Sequence, residues 1–104
     1  MGARPGGAGA GEGDAPDTAV GEFLRHLRDE RQLSPHTVKA YGRDLADLSD
    51  FLTGYHGTPE WGWDQVDRLT LRSFMGWCHR KGLARRTVAR KLSAVRAFFR
   101  FLHL

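Results

Sequence analysis

The residues best equipped for chemistry in this chain are cations at helical spacing. In the last stretch, ARRTVARKLSAVRAFFRFLHL from Ala84 to Leu104, Arg86, Arg90, Ser93 and Arg100 fall on one side of a helix at about 100° per residue. Arg85 and Arg96 lie on one flank and Lys91 on the other, and no acid interrupts them. Guanidinium and ammonium groups in such a row attract anions by charge and hold them with directed N–H donors, so the chemistry on offer is recognition of a polyanion. Bond-making chemistry lacks its parts. Tyr41 is the one tempting nucleophile, yet it sits on an apolar stripe with no base expected beside it and reads as a packed tyrosine with its hydroxyl at the rim. No nucleotide-binding glycine loop, paired catalytic carboxylates or Ser-His-Asp set occurs. His26, His36, His56, His79 and His103 are scattered without a metal-type spacing, and the single Cys78 rules out an internal disulfide or a cysteine zinc site. Cys78 reads as a small buried hydrophobe. No catalytic residue, metal or cofactor is expected.

The net charge of +4 hides an uneven distribution. Residues 1–67 carry all twelve acids and six of the sixteen bases, whereas residues 68–104 carry ten bases and no acid. A face this one-sided favours a polyanion through field focusing and counterion release. An anionic membrane would also suit the charge, but the apolar stripe of the basic helix is needed by its own domain and is not free to enter lipid. Nothing approaches the roughly 20 apolar residues of a membrane span, and the N-terminus has no secretory apolar region. A soluble, cytoplasmic protein is expected.

The elements that must position these cations follow from periodicity and caps. Residues 1–16 hold six of the thirteen glycines with four alanines and two prolines, too little apolar surface to offset ordering, and read as a disordered leader. One domain is expected over residues 17–104. Its first helix is capped by Asp17 or Thr18, presents Val20, Phe23, Leu24 and Leu27 to a core and ends near Arg31 or Gln32. Ser34-Pro35 starts a second helix running to about Leu52, with Val38, Tyr41, Leu45, Leu48 and Leu52 inward. Its outer face divides into Lys39 and Arg43 in the first half and Asp44, Asp47 and Asp50 in the second, so only the N-terminal half suits an anion. Thr53 to Asp67 reads as a loop whose Trp61 and Trp63 lid the core in preference to stacking on bases. Thr70 caps a third helix to about Lys81, with Leu71, Phe74, Met75 and Cys78 inward and Gly82 ending it. The fourth helix places Val88, Leu92, Val95, Phe99 and Leu102 toward the core, although Ala84 is a poor cap. Four helices in two hairpins make a small all-α domain with no convincing strand.

Two of these segments carry a resemblance. S-x-x-T-x-x-x-Y-x-x-D-L, at Ser34, Thr37, Tyr41, Asp44 and Leu45, and R-x-L-S-A-V-R-x-F-x-x-F-L, beginning at Arg90, Leu92, Ser93, Ala94 and Arg96, occur in that order and separation. Together they resemble the N-terminal core-binding domain of the tyrosine recombinases, of the Xer and phage-integrase type, over about residues 18–104. The resemblance implies a SAM-like, four-helix orthogonal bundle that forms half of a clamp around a recombination half-site, its second and fourth helices facing the major groove. Double-stranded DNA is then the expected partner, and Thr37, Lys39, Arg43, Arg85, Arg86, Thr87, Arg90, Lys91, Ser93 and Arg96 are the expected contacts, mostly to phosphate. Roles in DNA recombination, integration or chromosome partition are implied. Other recombinase subunits are implied as partners in a full-length context, and the isolated domain is expected to be monomeric. The family's catalytic arginines, lysine, histidines and tyrosine belong to a C-terminal domain, and this chain ends at Leu104, so it is expected not to cut DNA. Gly42 inside the second helix and Ala84 at the cap depart from the family pattern. The competing reading, from fold analogy, is a SAM-like protein-interaction module.

Overall fold

The computed structural model describes residues 16–103, which form α1 (Pro16–Asp29), α2 (Pro35–His56), a 3-10 turn (Trp63–Gln65), α3 (Arg68–Arg80) and α4 (Arg85–Leu102), with no strand among the described residues. The leader expected over residues 1–16 lies outside the described residues except for Pro16, which opens α1. Asp17 and Thr18 therefore sit inside the first helical turn and do not cap it. Helix α2 packs against both α1 and α4, α1 also packs on α4, and α3 rests on α2. Side chains from all four helices and the loop meet in one core, among them Phe23, Leu45, Leu48, Phe74 and Phe98.

Helix α2 starts where its cap dictates. Ser34 Oγ accepts the Thr37 N–H at 3.2 Å and donates to Thr37 Oγ1 at 3.1 Å. Pro35 occupies the first turn, where a missing N–H costs nothing. The helix runs one turn beyond the expected end at Leu52, because a glycine such as Gly54 costs a helix only about 1 kcal/mol relative to alanine. The stop is Gly57, at φ 77°, whose N–H bonds Thr53 O at 2.9 Å. The extra turn presents the Thr53 hydroxyl to Trp61 Nε1, 3.1 Å away. Trp61 and Trp63 pack edge-to-face at 4.7 Å and close over the core, as the sequence suggested. Gly42 also has its reason: a Cβ there would lie 3.1 Å from Leu24 Cδ1, so α1 and α2 approach where the glycine sits.

Helix α3 is capped by Asp67 in place of Thr70. Asp67 Oδ1 accepts both the backbone N–H and the hydroxyl of Thr70 at 2.8 Å, and those bonds, backbone first, hold its carboxyl below the usual aspartate range. A depressed folded-state pKa contributes stability above the unfolded value of 3.8 that is lost as pH falls through the folded one. Asp67→Ala is expected to lower the thermal midpoint at neutral pH, while Asp67→Asn, also a good cap, keeps most of it and removes the share of acid-side loss due to this carboxyl. Melting curves from pH 7 to pH 2 check both; an unchanged midpoint in Asp67→Ala would contradict the cap. Met75, expected inward, is 40% exposed, and Phe74 and Cys78 fill the α3 side of the core.

The largest difference between expectation and structure is the rotation of α4. Its buried residues are Lys91, Ala94, Val95 and Phe98, whereas Val88, Leu92, Phe99 and Leu102 are half-buried. The helix is turned by less than one residue's 100° from the stripe read in the sequence. The reason emerges from a comparison of α4 with α2. Shifted by fifty positions the two follow nearly the same burial pattern: Asp44, Leu45 and Leu48 are buried in one, Ala94, Val95 and Phe98 in the other. The corners preceding them correspond too. Gln32 and Gly82 both take left-handed φ, 53° and 75°, and the N–H groups of Leu33 and Leu83 bond back to Leu27 O and Cys78 O. In this register Lys91, itself buried, takes the place of half-buried Tyr41.

Candidate nucleic-acid interface

The rotation of α4 carries two of its cations onto α2. Arg90 donates from Nε to Asp44 Oδ2 at 2.9 Å and from Nη2 to Asp44 Oδ1 at 2.8 Å, a fork on a carboxylate that is 0% exposed. Lys91 Nζ donates to Asp44 Oδ1 at 3.1 Å and to Asp47 Oδ2 at 2.6 Å. Two acids and two bases thus form a neutral set that ties the two helices together. Burial alone works against the Lys91 charge, but the bonds to Asp47 and Asp44 more than offset it, so its pKa ends above the ordinary lysine value. The bond to Asp44 likewise raises the Arg90 pKa.

These contacts divide the expected DNA residues. Lys91 must be removed from the contact face: its side chain is 4% exposed and both its partners are protein carboxylates. Its flank position on the helical wheel is the flank turned inward. Arg90 remains 42% exposed, and its bonds to Asp44 engage Nε and Nη2. Arg85, Arg86, Ser93 and Arg96 are exposed on α4, as are Lys39 and Arg43 on α2, and none of these cations has an ion-pair partner among the described residues. Thr37 and Thr87 are half-buried at corresponding positions of the two first turns. Thr37 Oγ1 accepts from Ser34 Oγ. Arg100 extends the exposed row of α4. The first turn of α4 has no side-chain cap because Ala84 cannot supply one, so its amides add an anion-accepting end beside Arg85 and Arg86.

Asp44 and Asp47 are the residues whose part in this surface the sequence concealed. Their charge, read one helix at a time, places them on a solvated acidic face that repels phosphate. Asp44 instead lies inside the protein and cancels charge that α4 brings in. One signal was available: Asp44 falls between Leu48 and Phe51 in helical phase, at the edge of the apolar stripe, and an acid that the stripe carries into the core requires a cationic partner.

Comparison with known proteins agrees with this architecture. Residues 20–104 match the family described as phage integrase, N-terminal SAM-like domain, and the chain belongs to that family. Among its relatives are proteins named tyrosine recombinase XerC. The one from Pseudomonas savastanoi pv. phaseolicola is 43% identical over 81 residues, covering 78% of this chain and 26% of the relative. That from Syntrophus aciditrophicus is 38% identical over 91 residues, covering 84% and 29%, and that from Xanthomonas campestris pv. campestris is 42% identical over 89 residues, covering 86% and 27%. The chain therefore spans only about a quarter of the length of these curated relatives. No solved structure gives a significant match. Among the described residues no helix is long and apolar enough to cross a membrane.

Proposed function

We propose that this chain is the core-binding, DNA-binding domain of a site-specific tyrosine recombinase of the Xer type, and that it holds recombination half-site duplex through α2 and α4. The observation that carries the reading is the row of exposed arginines on α4, Arg85, Arg86, Arg96 and Arg100, without ion-pair partners among the described residues, on a segment with no acid after Asp67. Unpaired cations on a rigid helix displace counterions from a phosphate backbone at little conformational cost, and the uncapped first turn of α4 accepts a phosphate in the same place. Lys39 and Arg43 contribute from α2. In this reading the chain positions a recombinase on its site, and strand cleavage and exchange belong to a separate catalytic domain of the parent protein, which acts in DNA recombination or chromosome partition.

Binding of a labelled random-sequence duplex, followed over a range of salt concentrations, tests the proposal. Each phosphate-binding arginine contributes about one unit to the slope of log affinity against log salt, so the Arg85→Ala/Arg86→Ala pair is expected to reduce the slope by about two. Salt-independent binding by the wild type, or an unchanged slope in the double variant, would overturn the proposal. A shallow groove of Asp50, Phe51, Gly54, Tyr55 and Trp77, with Tyr55 46% exposed, favours the second reading, a protein-interaction module.

A further inference from the structure

We infer that Asp44 is a positioning residue that turns Arg90 from a general phosphate anchor into a directional reader of a base edge. This inference rests on the DNA-binding reading above and goes beyond it by giving two neighbouring cations different tasks. Arg86 is exposed and has no ion-pair partner among the described residues, so it can follow any phosphate. Arg90 has Nε and Nη2 fixed on Asp44 at 2.9 and 2.8 Å, which sets the plane of the guanidinium. Those two bonds leave Nη1 and the second Nη2 hydrogen, on a side chain 42% exposed, as a pair of donors of the kind that pairs with the O6 and N7 acceptors of guanine.

The charges reinforce the distinction. Asp44 is 0% exposed and also bonded by Lys91, so it is held from both sides and cannot swing away with Arg90. With its positive charge compensated, Arg90 gains little from a bare phosphate, while its donors stay available to an acceptor in the right plane. Asp47, 39% exposed, completes the neutral set by taking the second Lys91 bond. The arrangement sacrifices non-specific attraction at one position and gains orientation there. A simple buttress between α2 and α4 would need only the Lys91 bonds. The fork to Arg90, on a side chain 42% exposed, is the part that a buttress leaves unexplained.

The test uses the wild-type chain, Asp44→Asn and Arg90→Lys with a labelled duplex pool of randomised sequence. Salt slopes are measured on the whole pool, and base preferences are read by sequencing the bound fraction. The wild type is expected to favour guanine at one position by about 5- to 150-fold. Arg90→Lys, which keeps the charge and loses the planar fork, is expected to flatten that preference with little change in slope. Asp44→Asn is expected to flatten it as well, and to steepen the slope by up to about one unit because the Arg90 charge is no longer compensated. A merely structural Asp44 would instead weaken binding to all sequences alike and leave both preference and slope unchanged; that result overturns the inference. If Asp44→Asn does not fold, Arg90→Lys decides alone, since retention of the preference overturns the inference and its loss supports it. Wild-type binding with no base preference overturns the inference and leaves the DNA-binding reading standing, whereas absence of any DNA binding removes both.

Discussion

Phe98→Ala is expected to lower the unfolding free energy by about 3–5 kcal/mol, and Phe99→Ala, one residue along, by much less. Phe98 is 0% exposed and meets Phe23 edge-on at 5.3 Å and Trp63 at 4.8 Å, so its ring joins α1, α4 and the loop that lids the core. Removing it leaves a cavity bounded by aromatic rings that cannot all collapse inward, and the loss of contact area adds to the loss of transfer energy. Phe99 is half-buried at the edge of the same cluster and leaves a space that water can reach. Urea unfolding of the two variants checks the ranking. The apolar stripe read from the sequence, with Phe99 on it and Phe98 beside it, predicts the opposite order, so a larger loss in Phe99→Ala would show that α4 is not rotated as described.

The second large effect concerns the ion set. Asp44→Ala is expected to cost about 3 kcal/mol or more, because it leaves Lys91, 4% exposed, with Asp47 as its sole acid and no carboxylate at the centre of the α2–α4 contact. Replacing the buried pair with apolar groups of similar size has a different consequence. Asp44→Leu with Lys91→Met is expected to lie within about 1 kcal/mol of wild type or to exceed it, since desolvation of both charges is avoided and Arg90 returns to water. Chemical denaturation of the three proteins tests the contrast, and equal losses in the single and double variants would contradict it. The pH dependence carries the same signature. Lys91 has a folded pKa raised above 10.5, so its contribution is fully present below that value and is lost as pH rises through the folded one. The wild type should therefore lose stability on the alkaline side beyond pH 10.5 in part through this lysine, and the double variant should lack that part.

Much of this architecture was legible because its signals are local. Ser34-Pro35 and Gly82 mark their helix ends through cap and left-handed chemistry, and Leu45, Leu48 and Leu52 recur at the spacing that faces a core. The cap Asp67 is hidden by Thr70, another good capping residue three positions later; the structure bonds the two to each other. The rotation of α4 was hidden for a tertiary reason. Lys91 and Asp44 are charged, and a pattern read one helix at a time assigns charge to water. Each enters the core only because the other does, across 47 residues of sequence. The candidate interface follows the same rule: spacing marks its exposed cations, but which of them are already paired depends on a contact between two helices.

Mapping of backbone amide chemical shifts in the chain as a short DNA duplex is added tests the DNA-binding surface most directly. Perturbations are expected to concentrate in the N-terminal half of α2, around Thr37, Lys39 and Arg43, and along α4 from Arg85 to Arg96, with the Tyr55 and Trp77 groove unchanged. Perturbations confined to that groove or to α1, or no response to duplex at all, would contradict it.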